Sequence, residues 1–220
     1  MYRLGEGFAY CCAGSHAIFL DLTRNHYLCL KPPLQAAFSK LVERKELNQE
    51  DHNQLNNLLN VGILTQDIVA SPLTPPFVIP AMSTVRASKV SSFSRPVLKA
   101  LLQRMSASAS LRLHGLDQTV KALKRLKEEI RFQGEIYAPE AEAQAASAFE
   151  ATHLLFSAND RCLPQAIALF RSLLAARHLP LLIFGVRMNP FSAHCWVQSG
   201  ERVFCDSAAY TRQFTPILII

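Results

Sequence analysis

Four prolines crowd into fourteen residues, "ASPLTPPFVIPAMS" at 70–83, and nothing else in the chain restricts its fold as strongly. Each proline fixes its own φ, lacks an N–H donor and pushes the residue before it away from helix. Neither a helix nor a central strand can run through such a stretch, so it is expected to be an extended linker. The chain should fold on either side of it: a small domain over 1–70, a linker over 71–83 and a larger domain over 84–220. At 220 residues, length alone permits one domain or two.

The two sides differ in pattern. Before the prolines, "GFAYCCA" and "HAIFLDL" are apolar runs split by Gly14-Ser15. A polar Thr23-Arg24-Asn25 turn then leads to "HYLCL", so three strands are expected. Pro32-Pro33 ends the third and can open a helix on which Leu34, Ala37, Phe38, Leu41 and Val42 share a face. A second helix, "NQEDHNQLNNLLN", stops before Gly62, which suits a C-cap. Three strands followed by helices make a small winged-helix-like unit. After the prolines, Val97, Leu98, Leu101, Leu102 and Met105 fall on one face of a helix. Leu116, Val120, Leu123, Leu126 and Ile130 do so on the next, and both helices carry a basic opposite face. "APEAEAQAASAFEATHLL" is helical in composition, and "NDRCLPQAIALFRSLLAARHLP" turns Leu163, Ile167, Phe170, Leu173 and Leu174 to one side. The strands "LLIFGV", "AHCWVQ" and "ERVFCD" follow. Helices then an antiparallel sheet define an α+β class.

Composition narrows the function classes. Half the residues are hydrophobic, so a core forms. No apolar run approaches the roughly 20 residues of a membrane span. The start, with Arg3, Glu6 and Asp21, does not read as a secretory signal. A cytoplasmic location is the default expectation, with the six Cys reduced. They form no CxxC pair, and no metal site is expected. From Ser83 to Arg131, eleven Lys or Arg oppose three acids, a local +8 against −2 for the rest of the chain. That segment can meet an acidic partner or simply present solvated helix faces. No nucleic-acid-reading motif accompanies it, and no nucleic-acid partner is expected.

The stretch "PFSAHCWVQSGERVFCD" holds the only Trp, and it poses a geometric question. Side chains alternate along a strand, so His194, Trp196 and Gln198 share one face, opposite Cys195 and Val197. A two-residue Ser199-Gly200 turn would set His194 opposite Cys205. An odd loop centred on Gly200 pairs 198 with 202, matches Val197 with Val203, and sets His194 beside Asp206; this register is preferred. A carboxylate on one imidazole nitrogen fixes the tautomer and leaves the other as a base. A structural His–Asp pair would look the same, so a nucleophile must be found. Cys162 opens a helix just after Asn159 and Asp160, either of which can cap it. A helix N-terminus favours the thiolate and offers amides to an oxyanion. A small core residue is the alternative for Cys162. Cys11, Cys12, Cys29, Cys195 and Cys205 read as structural.

Together these residues resemble a known family. A Cys162-Leu163 helix start, a strand ending Gly185-Val186-Arg187, then Pro190-Phe191, then His194-x-Trp196-Val197, then a strand ending in Asp206 follow in order, with "FTPILII" as a matching tail. That order is similar to the transglutaminase-like cysteine peptidases of lasso-peptide maturation, the B proteins. The resemblance implies a transglutaminase/papain-like domain with Cys162 as nucleophile, His194 as base and acid, and Asp206 as orienting carboxylate. The first 70 residues resemble, in layout, the leader-recognition domain fused to such peptidases. It implies that a leader peptide adds to the third strand (His26, Tyr27, Leu28, Cys29, Leu30) and packs on the helix around Leu55, Leu58 and Leu59. It further implies a precursor-peptide substrate and a partner, an asparagine-synthetase-like lasso cyclase. ATP dependence would then come through the cyclase, since the chain has no Walker motif and no tightly bound cofactor is expected. An acyl transferase on the same triad and a non-catalytic leader-binding module are the competing readings.

Overall fold

A computed structural model of the chain describes residues 2–67, 73–85, 94–136, 138–152 and 162–220. The chain divides into two compact units, Met1–Phe77 and Val78–Ile220, and mixes helices with sheets in an α+β fold. No helix among the described residues is long and apolar enough to cross a membrane.

In the first unit, β2 (Phe8–Ala13), β3 (His16–Asp21) and β4 (His26–Cys29) form an antiparallel sheet in that order. Helices α1 (Pro32–Val42) and α2 (Gln49–Asn60) follow. Tyr10, Phe19 and Phe38 pack edge-on or stacked with centroids 5.0–5.8 Å apart, and Leu55, Leu58, Ile63 and Leu64 complete their core. Helix α2 opens on a capping box. Asn48 accepts from the Asp51 N–H at 2.8 Å, and the Asp51 carboxylate accepts from the Asn48 N–H at 3.0 Å. A second, two-stranded sheet joins β1 (Tyr2–Leu4) to β5 (Leu64–Gln66). Three-residue strands are too short to show a period in sequence, which is why this pair goes unseen there.

The stretch expected to be linker does not stand apart. Leu73 packs in the first unit, its carbonyl accepting from the Tyr10 hydroxyl at 2.6 Å. Val78 and Ala81 pack in the second, and β6 (Ser83–Thr84) is an edge strand there. Proline is tolerated beside a sheet edge, where a missing N–H is not needed.

The second unit is an antiparallel sheet with one parallel edge. Its order is β10 (Thr215–Ile219), β7 (Leu181–Arg187), β8 (Ser192–Ser199), β9 (Arg202–Phe204), β6. Helix α5 (Cys162–Ala175) lies against β7 and β8 and packs on α3 (Arg95–Gln133) and α4 (Pro139–Ala151). It is buried on most of its circumference, from Ala166 through Leu174, as a central helix must be. The two basic helices expected in this unit are the halves of α3, broken at Gly115 with φ 73°. The second half buries Leu116, Val120, Leu123 and Ile130 as expected. The first half is rotated. Val97, Ala100, Arg104 and Ala107 point inward, while Leu98, Leu102 and Met105 are 57–58% exposed. Small residues at 100 and 107 permit close helix approach, and the longer apolar side chains are left outside. Arg104, expected in water, is buried and donates to the Thr152 hydroxyl at 2.7 Å.

Glu142 of α4 is buried, with Arg202 Nη1 at 2.7 Å and His178 Nδ1 at 3.6 Å. Glu142→Ala would strand His178 in the interior beside an unpaired guanidinium. Because Arg202 is partly solvated, the expected loss is about 2 kcal/mol rather than the larger figure for a fully buried pair. Urea unfolding followed by the fluorescence of Trp196 reads it directly, since that is the only Trp.

Candidate active site

Helix α5 begins at Cys162, so the first N–H groups of the helix have no carbonyl partner within it. Pro164 in the first turn is compatible with this start. The proposed caps Asn159 and Asp160 lie outside the described residues. The Cys162 thiol faces a cleft of about 490 Å³ bounded by Gln165, Ala166 and Leu169 of α5, by β8 from Ser192 to Val197, and by Asp206 and Tyr210.

Strand β8 presents His194 to this cleft, and the way Asp206 reaches it corrects the expected register. The hairpin closes through a two-residue Gly200-Glu201 turn, pairing Ser199 with Arg202, Gln198 with Val203 and Val197 with Phe204. Gly200 has φ 55°, as the first central residue of a type II′ turn requires. The odd loop centred on Gly200, with Val197 opposite Val203, is therefore not formed. In the observed register a continuing strand would turn Asp206 to the face opposite His194. The strand does not continue. Cys205 adopts φ 54°, the left-handed region, and the chain swings so that Asp206 Oδ2 meets His194 Nε2. Asp206 Oδ1 accepts from the Ser207 N–H at 2.7 Å, and its main-chain oxygen accepts from the Thr84 hydroxyl at 3.0 Å. Edge strand β6 thus pins the turn that carries the carboxylate.

Nε2 is taken by Asp206, and the Cys162 thiol also hydrogen-bonds the His194 side chain. Burial pushes the Cys162 thiol up. The hydrogen bond and charge of His194, with the backbone N–H groups of Cys195 and Leu163, outweigh burial and hold it below the usual thiol value. Burial pushes His194 down, but Asp206 and Cys162 raise its imidazolium to about 9. Both shifts favour a thiolate–imidazolium pair. Cys195 and Cys205 move the other way, since burial holds both thiols protonated.

An aromatic wall supports the imidazole. His194 stacks on Trp196 at 6.0 Å and 17°, meets Tyr210 edge-on at 5.2 Å, and lies 5.3 Å from Phe214. The Arg187 guanidinium sits over Phe214 at 5.2 Å and Tyr210 at 6.0 Å and donates to Gln213 at 2.7 Å. Gln165, Thr84, Tyr210 and Phe214 were not singled out in sequence. Only Gln165, one turn along α5 from Cys162, left a signal there, its i, i+3 spacing.

The other sequence-predicted site lies in the first unit. Strand β4 is one of the two edge strands of its sheet among the described residues, with His26 and Cys29 exposed and Tyr27, Leu28 and Leu30 half-buried. Leu55 and Leu58 are 0% and 3% exposed and belong to the core, and Leu59, the third expected contact, is half-buried against it. Among the described residues no group of three or more His, Cys, Asp or Glu is disposed to hold a metal.

A thiol held low at a helix start, an imidazole and a carboxylate on the imidazole have the chemistry that acyl transfer through a thioester requires. The family model of the transglutaminase-like superfamily matches residues 90–219, more than half the chain, and the protein belongs to that superfamily. Its members usually work by cysteine-based catalysis. No curated protein and no solved structure matches the chain.

Proposed function

We propose that this protein is a cysteine peptidase that removes the leader from a ribosomally made lasso-peptide precursor. The observation that carries the reading is the Cys162–His194–Asp206 relay, with its thiol held low at the edge of an open cleft. Cys162 attacks the scissile carbonyl, His194 protonates the departing amine, and Asp206 keeps the imidazolium oriented. Water then releases the acyl-enzyme. The winged-helix-like first unit would hold the leader by strand addition along β4, main chain to main chain, with Leu28, Leu30 and Leu59 as apolar contacts. Holding the leader raises the local concentration of the cleavage site, so the peptidase itself need not be strongly selective. The freed core would pass to an ATP-using, asparagine-synthetase-like cyclase.

The test is mass spectrometry of a lasso precursor incubated with the protein, its cyclase and ATP. A leader fragment formed by wild type and absent with Cys162→Ala is the expected result. An amide cross-link instead of a free leader would make the protein an acyl transferase on the same triad. Bound but uncut precursor with both proteins would reduce it to a leader-binding module.

A further inference from the structure

The carboxylate that meets His194 is not held by the sheet. Asp206 lies beyond the end of β9 and the left-handed Cys205, and among the described residues its main chain bonds no other main-chain group. Thr84 supplies what the ladder does not. Its hydroxyl donates to the Asp206 carbonyl at 3.0 Å and accepts from the Ala208 N–H at 3.3 Å, a donor left open at the start of the short helix Ala208–Thr211. One hydroxyl thus clasps the turn on both sides of Ser207.

The segment that carries Thr84 is itself fastened at several points. The Met82 and Val85 N–H groups donate to the Glu201 and Val203 carbonyls, each at 2.8 Å. Ala81, 2% exposed, packs in one cluster with Trp196 and Phe214. Gln198, 1% exposed, donates its amide N–H groups to the Ile79 carbonyl at 2.6 Å and the Gly200 carbonyl at 2.7 Å. Its oxygen accepts from the Trp196 indole at 3.1 Å. These partners fix the orientation of the amide, because carbonyls only accept and an indole only donates. Trp196 in turn stacks on His194. The same segment therefore backs the imidazole on its aromatic side and on its carboxylate side.

We infer that residues 78–84 hold the site in register, with Thr84 a positioning residue that acts on His194 through Asp206. The inference goes beyond the peptidase reading, since a transferase on the same triad needs the same support; it rests only on Cys162 and His194 working as a pair. The segment precedes residue 90, where the superfamily match begins. Drawing it off β9 would lower the reactivity of Cys162 without touching the cleft.

Iodoacetamide alkylation of Cys162 in the full chain, followed against pH, tests this without a precursor. Thr84 is exposed, and Thr84→Val keeps its branched shape at a strand edge while removing the hydroxyl. With its turn loosened, the carboxylate supports the imidazolium less, and the thiol that the imidazolium holds low titrates higher. The alkylation profile is expected to move up by about half a pH unit, about a threefold slower rate on its acid limb, part of the worth of one hydrogen bond. Thr84→Ser returns the hydroxyl and should restore the wild-type profile. In an Asp206→Ala background, with no carboxylate left to position, Thr84→Val should add no further shift. An unmoved profile in Thr84→Val, a Ser variant that behaves like Val, or an equal shift in the Asp206→Ala background would overturn the positioning role and leave the Cys162–His194 pair standing. A wild-type profile no lower than that of an ordinary thiol would remove the pair, and this role with it.

Discussion

Replacing His194 by Ala is expected to lower kcat/KM by roughly 10³-fold or more and to change how the remaining activity depends on pH. In the proposed mechanism the imidazolium supplies two things at once, the proton for the leaving amine and the field that favours the Cys162 thiolate. Without it, burial is opposed only by the Cys195 and Leu163 amides, and the thiol titrates higher than in wild type. Iodoacetamide alkylation at pH 7 should slow accordingly. The wild-type profile of kcat/KM is expected to have two limbs with opposite origins. The thiol is depressed, so its thiolate is present above that depressed value and is lost as pH falls through it. The imidazolium is raised, so its proton is present at lower pH and is lost as pH rises through about 9. A descending limb near 9 is expected in wild type and should vanish in His194→Ala. Asp206→Asn keeps a hydrogen-bonding group on the ring but removes the charge, and the limb should move to lower pH. An unchanged limb in His194→Ala would assign it to a different group.

How far the site was legible depends on which physical signal each residue left. Cys162 and His194 were readable because helix starts and strand alternation are local rules, and both residues sit where those rules place them. Asp206 was paired with His194 by a register that the protein does not use. The true hairpin is one residue tighter, and the two partners meet because Cys205 takes a left-handed backbone. Non-glycine residues seldom do so, and no pattern in "ERVFCD" announces it. The inward face of the first half of α3 departs from its apolar stripe for a related reason. A window of Leu and Met outweighs Ala100 and Ala107 in any hydrophobic count, yet tight helix packing selects the small residues. Thr84 stands just past the proline-rich stretch, in no recognisable motif, and its hydroxyl is tied to a residue 122 positions away. Long-range pins of this kind leave no periodicity. The order of β2 to β4, α1, α2, α4, α5 and β7 to β9, by contrast, is legible, because proline, glycine and apolar spacing mark where those strands and helices stop, whereas the short β1, β5 and β6 leave no such mark.

Gly185→Ala is expected to destabilise the second unit by about 2 kcal/mol and to lower activity about 100-fold, although residue 185 does not line the cleft. Gly185 pairs with His194 across β7 and β8. A methyl there would lie 2.7 and 2.8 Å from the Trp196 ring and 2.9 Å from the Phe214 Cβ, well inside van der Waals contact. Neither neighbour can yield easily. Trp196 is 4% exposed and its indole N–H donates to Gln198 at 3.1 Å, while Phe214 is 5% exposed under the Arg187 guanidinium. The strain must pass to the rings, and both rings touch His194. A shift of about 1 Å in the imidazole is enough for a 100-fold loss, because the thiol and the carboxylate hold it from opposite sides. Urea unfolding by Trp196 fluorescence gives the stability term, and iodoacetamide labelling of Cys162 gives the geometric one. If the imidazole is displaced, the thiol loses part of its stabilisation and labelling at pH 7 slows along with catalysis. Lost stability with unchanged labelling would show instead that the wall absorbs the methyl without moving His194. The glycine would then serve packing alone.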